Sequence, residues 1–359
     1  MRVKRKQLLL IVMSSIISVS AHAFTMSLNF NNGPLALRAD NFGNGYATFS
    51  SDASGTIYSN TQSYEGGQSV ELNNSRGKEG FGKWGGVVKF PSPLKRGDEV
   101  WIRVRTYWPV GSTYDANPKL KFMRVKTQTA TGVHIGYNDW YITPESSSSY
   151  QPFWYIYEGV QIPKYFGEQS DRIVKGVWET YEYNIKFDSQ PEDKGGMAHT
   201  RMWKDGKLIG SITSSQTLVS QDDVATSFYL FTYWNHDPWK QVLQFLDAAN
   251  YQVGEVVTGS NGISTTVASV NGNEITVDGH TIKVSPNYLA GQVIAGGGSG
   301  TSKTISGVLY TNPSVDVKMY VDDLVITSDK PSSKDSNGYY HIGSVAGPMI
   351  PSPPIILMQ

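Results

Sequence analysis

The sequence predicts an all-β chain folded as an antiparallel sandwich, and three observations carry that prediction. Runs in which apolar and polar residues alternate recur along the 359 residues, the pattern of half-buried strands. Clusters of Gly, Pro, Asn, Asp and Ser punctuate those runs as turns do. No stretch shows the apolar spacing of a long amphipathic helix. The clearest stretch is Val177 to Gly210. Tyr181, Tyr183, Ile185 and Phe187 share one parity there, while Glu182, Asn184 and Lys186 take the other. After a polar connection, His199, Arg201 and Trp203 alternate with Ala198, Thr200 and Met202. Asp205-Gly206 then turns the chain into Lys207-Leu208-Ile209, a strong hairpin signal.

The first residues stand apart from the fold. Arg2, Lys4, Arg5 and Lys6 form a basic region, Leu8 to Val19 is largely apolar, and Ala21-His22-Ala23 fits a small-residue cleavage site. A secretory signal peptide cut after Ala23 is expected, hence a secreted protein, extracellular or periplasmic. The apolar run is short for a span, so no stable membrane insertion is expected after cleavage. Setting aside those four basic residues leaves 27 Lys+Arg against 31 Asp+Glu, a net charge of −4. That balance gives no global pull toward nucleic acid. The chain has no cysteine, which excludes disulfides, thiol chemistry and a lipoprotein anchor.

Taken in order, Phe24 to Leu37 holds an opening strand and a turn. Ser63 to Leu72 is a Gly-containing turn feeding a strand, and Gly85 to Phe90 is a further short strand. In Val100 to Trp108, Trp101, Arg103, Arg105 and Tyr107 point one way, with Ile102, Val104 and Thr106 opposite. In Lys119 to Thr127, Met123 and Val125 fit a core face, leaving Phe122, Arg124 and Lys126 opposite. Val133 to Ile142 carries His134, Tyr137, Asp139 and Trp140, and Phe153 to Val160 is aromatic. Lys164 to Val174 reads as a surface loop. Ser227 to Asn235 is a strand with Tyr229, Phe231 and Tyr233 on one parity. From Gly254 to Gly307 aromatics nearly vanish, and short β-runs, including one at Thr281 to Val284, are joined by Asn271-Gly272-Asn273 and Asp278-Gly279. This is a small β-module, assigned to residues 245–314. Val317 to Thr327 resumes the earlier alternation. Residues 331–359 read as a loose, Pro-rich tail.

The aromatic strand, loop and strand ending in Trp203-Lys204-Asp205-Gly206-Lys207 resemble the centre of concanavalin A-like (laminin G-like) jelly rolls. Ser69-Val70-Glu71-Leu72 after its Gly-rich turn is similar to an early strand of that family, and Met319 to Ile326 to its closing strand. The resemblance implies a jelly-roll sandwich over 24–244 and 315–330 with the β-module inserted in its last loop. The fold is used by secreted polysaccharide lyases, glucanases and lectin-like binding modules. It also implies a structural Ca²⁺ held by an acidic residue of the closing strand, Asp322 or Asp323, with N-terminal oxygens such as Asn31.

Glycans lie across an open sheet face of such folds. The face parities stack Arg103 and Arg105, Arg124 and Lys126, His199 and Arg201, with Trp101 and Trp203 beside them. Sugars pack their apolar faces on aromatic rings and cations attract uronate groups, so an anionic polysaccharide is the expected partner. β-Elimination needs a cation or amide on the uronate carboxylate, a base for the C5 proton and an acid for the leaving oxygen. By residue type, Arg124 or Arg201 would neutralise, His134 or His199 would be the base, and Tyr137, Tyr229 or Tyr233 the acid. The Arg-Ser/Thr-Glu-x-Arg, Gln-Ile/Val-His and Tyr-Phe-Lys-x-Gly triplet of alginate-lyase-like enzymes is absent. A non-catalytic glycan-binding or adhesion module, or a structural surface protein, therefore stands beside the lyase. Glycoside hydrolysis needs two facing carboxylates, and Glu179 and Glu182 fall on opposite strand faces.

Overall fold

The computed structural model describes residues 23–39, 46–48, 55–78, 84–117, 119–231, 234–235, 240–278 and 288–343. Residues 1–22 of the expected leader, Tyr233 and the run at Thr281 to Val284 lie outside these residues. The chain is an all-β jelly roll with an inserted β-module, built from three antiparallel sheets. Among the described residues no helix is long and apolar enough to cross a membrane.

One sheet of the sandwich, here the back sheet, runs Lys207–Ile212, His199–Lys204, Trp178–Lys186, Glu99–Tyr107, Val317–Thr327, Ser69–Asn74 and Thr56–Ser59. Thr25–Leu28 pairs with Val317–Thr327 off that path. The front sheet runs Lys164–Phe166, Phe153–Tyr157, His134–Ile142, Leu120–Gln128, Val224–Leu230, Gly86–Leu94 and Tyr46–Thr48. The alternation read from sequence decides which side chains meet between them. Val100, Ile102 and Val104 face inward beside Tyr181, Tyr183 and Ile185, and Phe122, Trp140, Phe228 and Leu230 close over them from the front sheet. The core is aromatic rather than aliphatic. Phe122 meets Tyr181 edge-on at 5.1 Å and Phe231 at 4.7 Å, and Trp140 meets Tyr181 at 5.6 Å. Such tilted and edge-on pairs add to the burial of large rings.

The hairpin at Asp205-Gly206 forms as expected, with both residues at positive φ (49° and 79°), the backbone a two-residue hairpin turn requires. Bulges shift other readings. Register slips between Lys121 and Met123, so Phe122 and Met123 are both buried and Phe122 joins the core instead of the outer face. Phe231 takes φ 46°, which breaks its parity with Tyr229 and sends its ring inward. Lys164–Phe166 is an edge strand and not a loop.

Residues 241–310 contain the third sheet, in the order Ser302–Thr304, Val293–Gly296, Val256–Gly259, Ser264–Asn271, Glu274–Val277, Gln241–Gln244, Gly307–Tyr310. It has its own apolar cluster, including Leu243, Phe245, Val257, Ile275 and Ile294. Arg76 of the sandwich reaches Glu274 with two guanidinium bonds, at 3.2 and 2.8 Å.

The chain beyond residue 331 is not loose throughout. Residues 333–343 form a strap across the outer face of the back sheet. Trp203 donates to Asp335 at 2.8 Å and stacks on His341 at 5.7 Å, and Arg201 lies over the Tyr339 ring at 4.1 Å. Glu182 accepts the Ile342 and Gly343 amides and contacts His341 Nδ1 at 3.1 Å.

Candidate functional site

The expected basic residues do not share one face. The structure divides them between the outer faces of the two sheets, and among the described residues it is the back face that the strap covers. On the back sheet, Trp101 donates to Tyr340 O, Arg103 to Gly343 O and Asp323, and Arg105 to Asp323 while its guanidinium lies 3.6 Å from the Tyr64 ring. His199 sits between Glu192 at 3.0 Å and Glu99 at 3.4 Å. All of these side chains, with Arg201 and Trp203, are buried. Trp101, Arg103, Arg105, His199, Arg201 and Trp203 are therefore reassigned: they are buried in holding the strap and the sheet. Alternation put them on the outer face correctly, but it carried no information about what covers that face.

The calcium expectation also meets committed side chains. Asp323 accepts both guanidiniums at 2.8 Å, and Asp322 accepts the Tyr64 amide. Asn31 accepts the Gln68 amide at 2.7 Å. Two cations already neutralise Asp323, and among the described residues no cluster of three or more acidic, His or Cys groups is placed to hold a metal. Glu179 and Glu182 do face opposite ways. Glu179 takes the buried Tyr181 hydroxyl and Lys204, whereas Glu182 holds the strap.

The front sheet gathers the remaining candidates. Strand register aligns Lys89, Ser227, Lys126 and Tyr137 in one row across four strands, and Tyr229, Arg124 and Asp139 in the next. His134 stands at the start of its strand, exposed, with its ring 5.0 Å from that of Tyr137. Tyr137 meets Tyr229 edge-on at 5.2 Å, and both are half-buried.

Arg124 anchors this group. It is 4% exposed, lies 3.8 Å under the Tyr137 ring, and forms a forked pair with Asp139 plus a bond to Glu158 at 2.8 Å. Burial opposes its charge, but Asp139 and then Glu158 outweigh that and hold its pKa above the ordinary value. Tyr141 also donates to Asp139. With two carboxylates on it, Arg124 positions the Tyr137 ring and has little charge left for a substrate carboxylate. Lys126 and Lys89 carry no ion pair among the described residues, and register sets both in the row of Tyr137.

Two titrations complete the geometry. Burial, then the Lys126 and Arg124 charges, holds His134 below the ordinary imidazole value. Burial, then Tyr229, pushes Tyr137 well above the ordinary phenol value. At neutral pH the pair thus presents an unprotonated imidazole beside a phenol that keeps its proton, a base next to an acid. Lys89 was missed from sequence, although its parity against Val88 and Phe90 marks it as outward. Glu158 carried no sequence signal, since its role depends on strands distant along the chain.

No protein-family model matches the chain, and neither does any curated protein. Among solved structures the fold is similar to the alginate lyase Aly36B, at 12% identity over 84% of this chain and 96% of that one, TM-score 0.42. It is also similar to an endo-β-1,4-glucuronan lyase from the fungus Trichoderma reesei, at 10% identity over 85% and 98%, TM-score 0.40. A third is the Chlorella virus alginate lyase vAL-1, at 9% identity over 76% and 88%, TM-score 0.35. These neighbours are polysaccharide lyases; likeness at this level carries no step of the functional reading, which rests on the front face.

Proposed function

We propose that the chain is an exported, carbohydrate-active protein that cleaves a uronate-containing polysaccharide by β-elimination on the front face. The observation that supports this is the meeting of His134, Tyr137 and Lys126 on an open sheet surface, base, acid and cation within neighbouring rows. Lys126, with Lys89 across Ser227, pairs with the uronate carboxylate and makes the C5 proton acidic. Neutral His134 takes that proton, the bond from C4 to the glycosidic oxygen breaks as the C4–C5 double bond forms, and Tyr137 protonates the leaving oxygen. Tyr229 holds the Tyr137 ring in place. This moves the neutralising role from Arg124 to Lys126, because Arg124 is committed to Asp139 and Glu158.

That same commitment favours a second reading, a glycan-binding module without turnover, in which the cations and rings only hold the chain. One experiment separates the two. The protein is incubated with alginate, glucuronan, pectate and glycosaminoglycans, and the ultraviolet absorbance of an unsaturated uronate is followed. Product that vanishes in His134→Gln supports the lyase; binding with no product from any of these polymers leaves the module.

A further inference from the structure

The front face does not end at the basic rows. The strand that begins at His134 continues to Tyr141, roughly 23 Å further on. There the register lines up Lys121, Tyr141, Trp154 and Tyr165 across four strands. Beyond that row opens a cavity of about 710 Å³ lined by Trp154, Tyr165, Asp115, Asn117 and Asn312, with Thr143 and three serines of the 146–149 loop. Its chemistry differs from that of the basic end.

The Trp154 and Tyr165 rings lie nearly parallel, at 11° and 5.6 Å, and Tyr165 is 53% exposed. Lys119 sits over the Trp154 ring at 4.2 Å, so a cation already covers that ring and the free aromatic surface is that of Tyr165. Asp115 accepts the Ser146 amide and hydroxyl on Oδ1, at 3.1 and 2.6 Å, and its Oδ2 accepts nothing among the described residues. Arg172 donates to the carbonyls of Pro144, Ser147 and Ser149, which fixes the loop from behind. None of the lining residues is cationic.

We infer that this cavity is a subsite for an uncharged pyranose, so that the protein's ligand is a mixed glycan carrying both uronate and neutral sugar units. An exposed phenol ring supplies a stacking surface for the apolar face of a sugar. A planar carboxylate with a free oxygen, beside the Asn117 amide, suits vicinal hydroxyls, which donate and accept together. A uronate there would set its carboxylate against Asp115, and Lys119, held over the Trp154 ring, is not among the lining residues, so that repulsion is a specificity element. The pre-fixed loop lowers the ordering cost of binding.

The inference rests on the uronate reading of the basic rows, and the test separates the two. Calorimetric titrations use the full chain in the His134→Gln background, so that ligand is not consumed. The probes are a hexasaccharide of alternating uronate and neutral hexose and a hexauronate of the same linkage. The alternating ligand is expected to bind about tenfold more tightly than the hexauronate. Tyr165→Ala and Asp115→Asn are each expected to remove most of that preference, with hexauronate affinity unchanged or, for Asp115→Asn, improved. Lys126→Ala is expected to weaken both ligands. Equal affinity for the two probes, or a Tyr165→Ala effect that is nil or the same on both, overturns the subsite while a Lys126→Ala loss keeps the uronate reading. Failure of both ligands to bind, or indifference of both to Lys126→Ala, overturns both. Tyr165 is exposed on an edge strand, and Asp115→Asn supplies a second variant that removes no packing.

Discussion

At the scale of single residues, the proposed elimination requires His134 to be neutral. Its pKa is depressed by burial and by Lys126 and Arg124, so the basic form persists below the ordinary value of 6.5. The acid limb of kcat/KM is therefore expected to lie below pH 6.5 and to move upward in Lys126→Ala, where one depressing charge is gone. Asp322 shows the opposite kind of perturbation. Burial, against the pull of the Tyr64 and Asp323 amides, lifts its carboxyl from 3.8 to about 6. An acid whose folded pKa is raised costs stability as pH climbs from 3.8 through 6, because the native state must release a proton it holds more tightly than the unfolded chain does. The penalty at pH 7 is on the order of 2–3 kcal/mol. Asp322→Asn is thus expected to gain on the wild type in urea midpoint between pH 4 and pH 7, and a constant offset across that range would contradict it.

At the scale of elements, the strap is the feature the sequence hid. His341 is raised above 6.5 by its bond to Glu182, with burial opposing and Asp335 assisting. A raised imidazole contributes fully below 6.5 and loses that contribution as pH rises through the folded value. Protease cleavage within 333–343 is expected to accelerate above that range, and His341→Gln to flatten the dependence, as read by mass spectrometry of the released fragment. Alternation did place Arg103, Arg105, His199 and Arg201 outward, and it grouped Tyr181, Tyr183 and Ile185 on the one parity that turns to the core. It could not show that Tyr339, Tyr340 and His341 return over that face from far along the chain, because no local pattern encodes a contact between Arg201 and residue 339. The bulge at Lys121/Met123 was equally invisible: a single inserted residue inverts parity, so Phe122 changed sides while Arg124 did not. Tyr137 and Tyr229 were legible because their strands keep parity there, whereas His134, three residues before Tyr137, reaches its ring across a register slip between Thr127 and Gln128 that alternation could not show.

At the scale of the whole molecule, polar contacts between the inserted sheet and the sandwich include the Tyr310 amide donating to the Gly77 carbonyl. The Arg76–Glu274 pair is among them, with Arg76 44% exposed at its side chain. Exposed pairs contribute little, so Arg76→Ala is expected to lower the unfolding free energy by less than about 1 kcal/mol. A larger loss would mean that the module and the jelly roll unfold as one unit. The back sheet is closed by the strap, and the described chain ends there at Gly343, whose carbonyl accepts Arg103. A tether joined at Gly343 itself would leave from the side opposite the front face, so that immobilisation at this residue turns the His134–Tyr137 surface toward a polymer in solution.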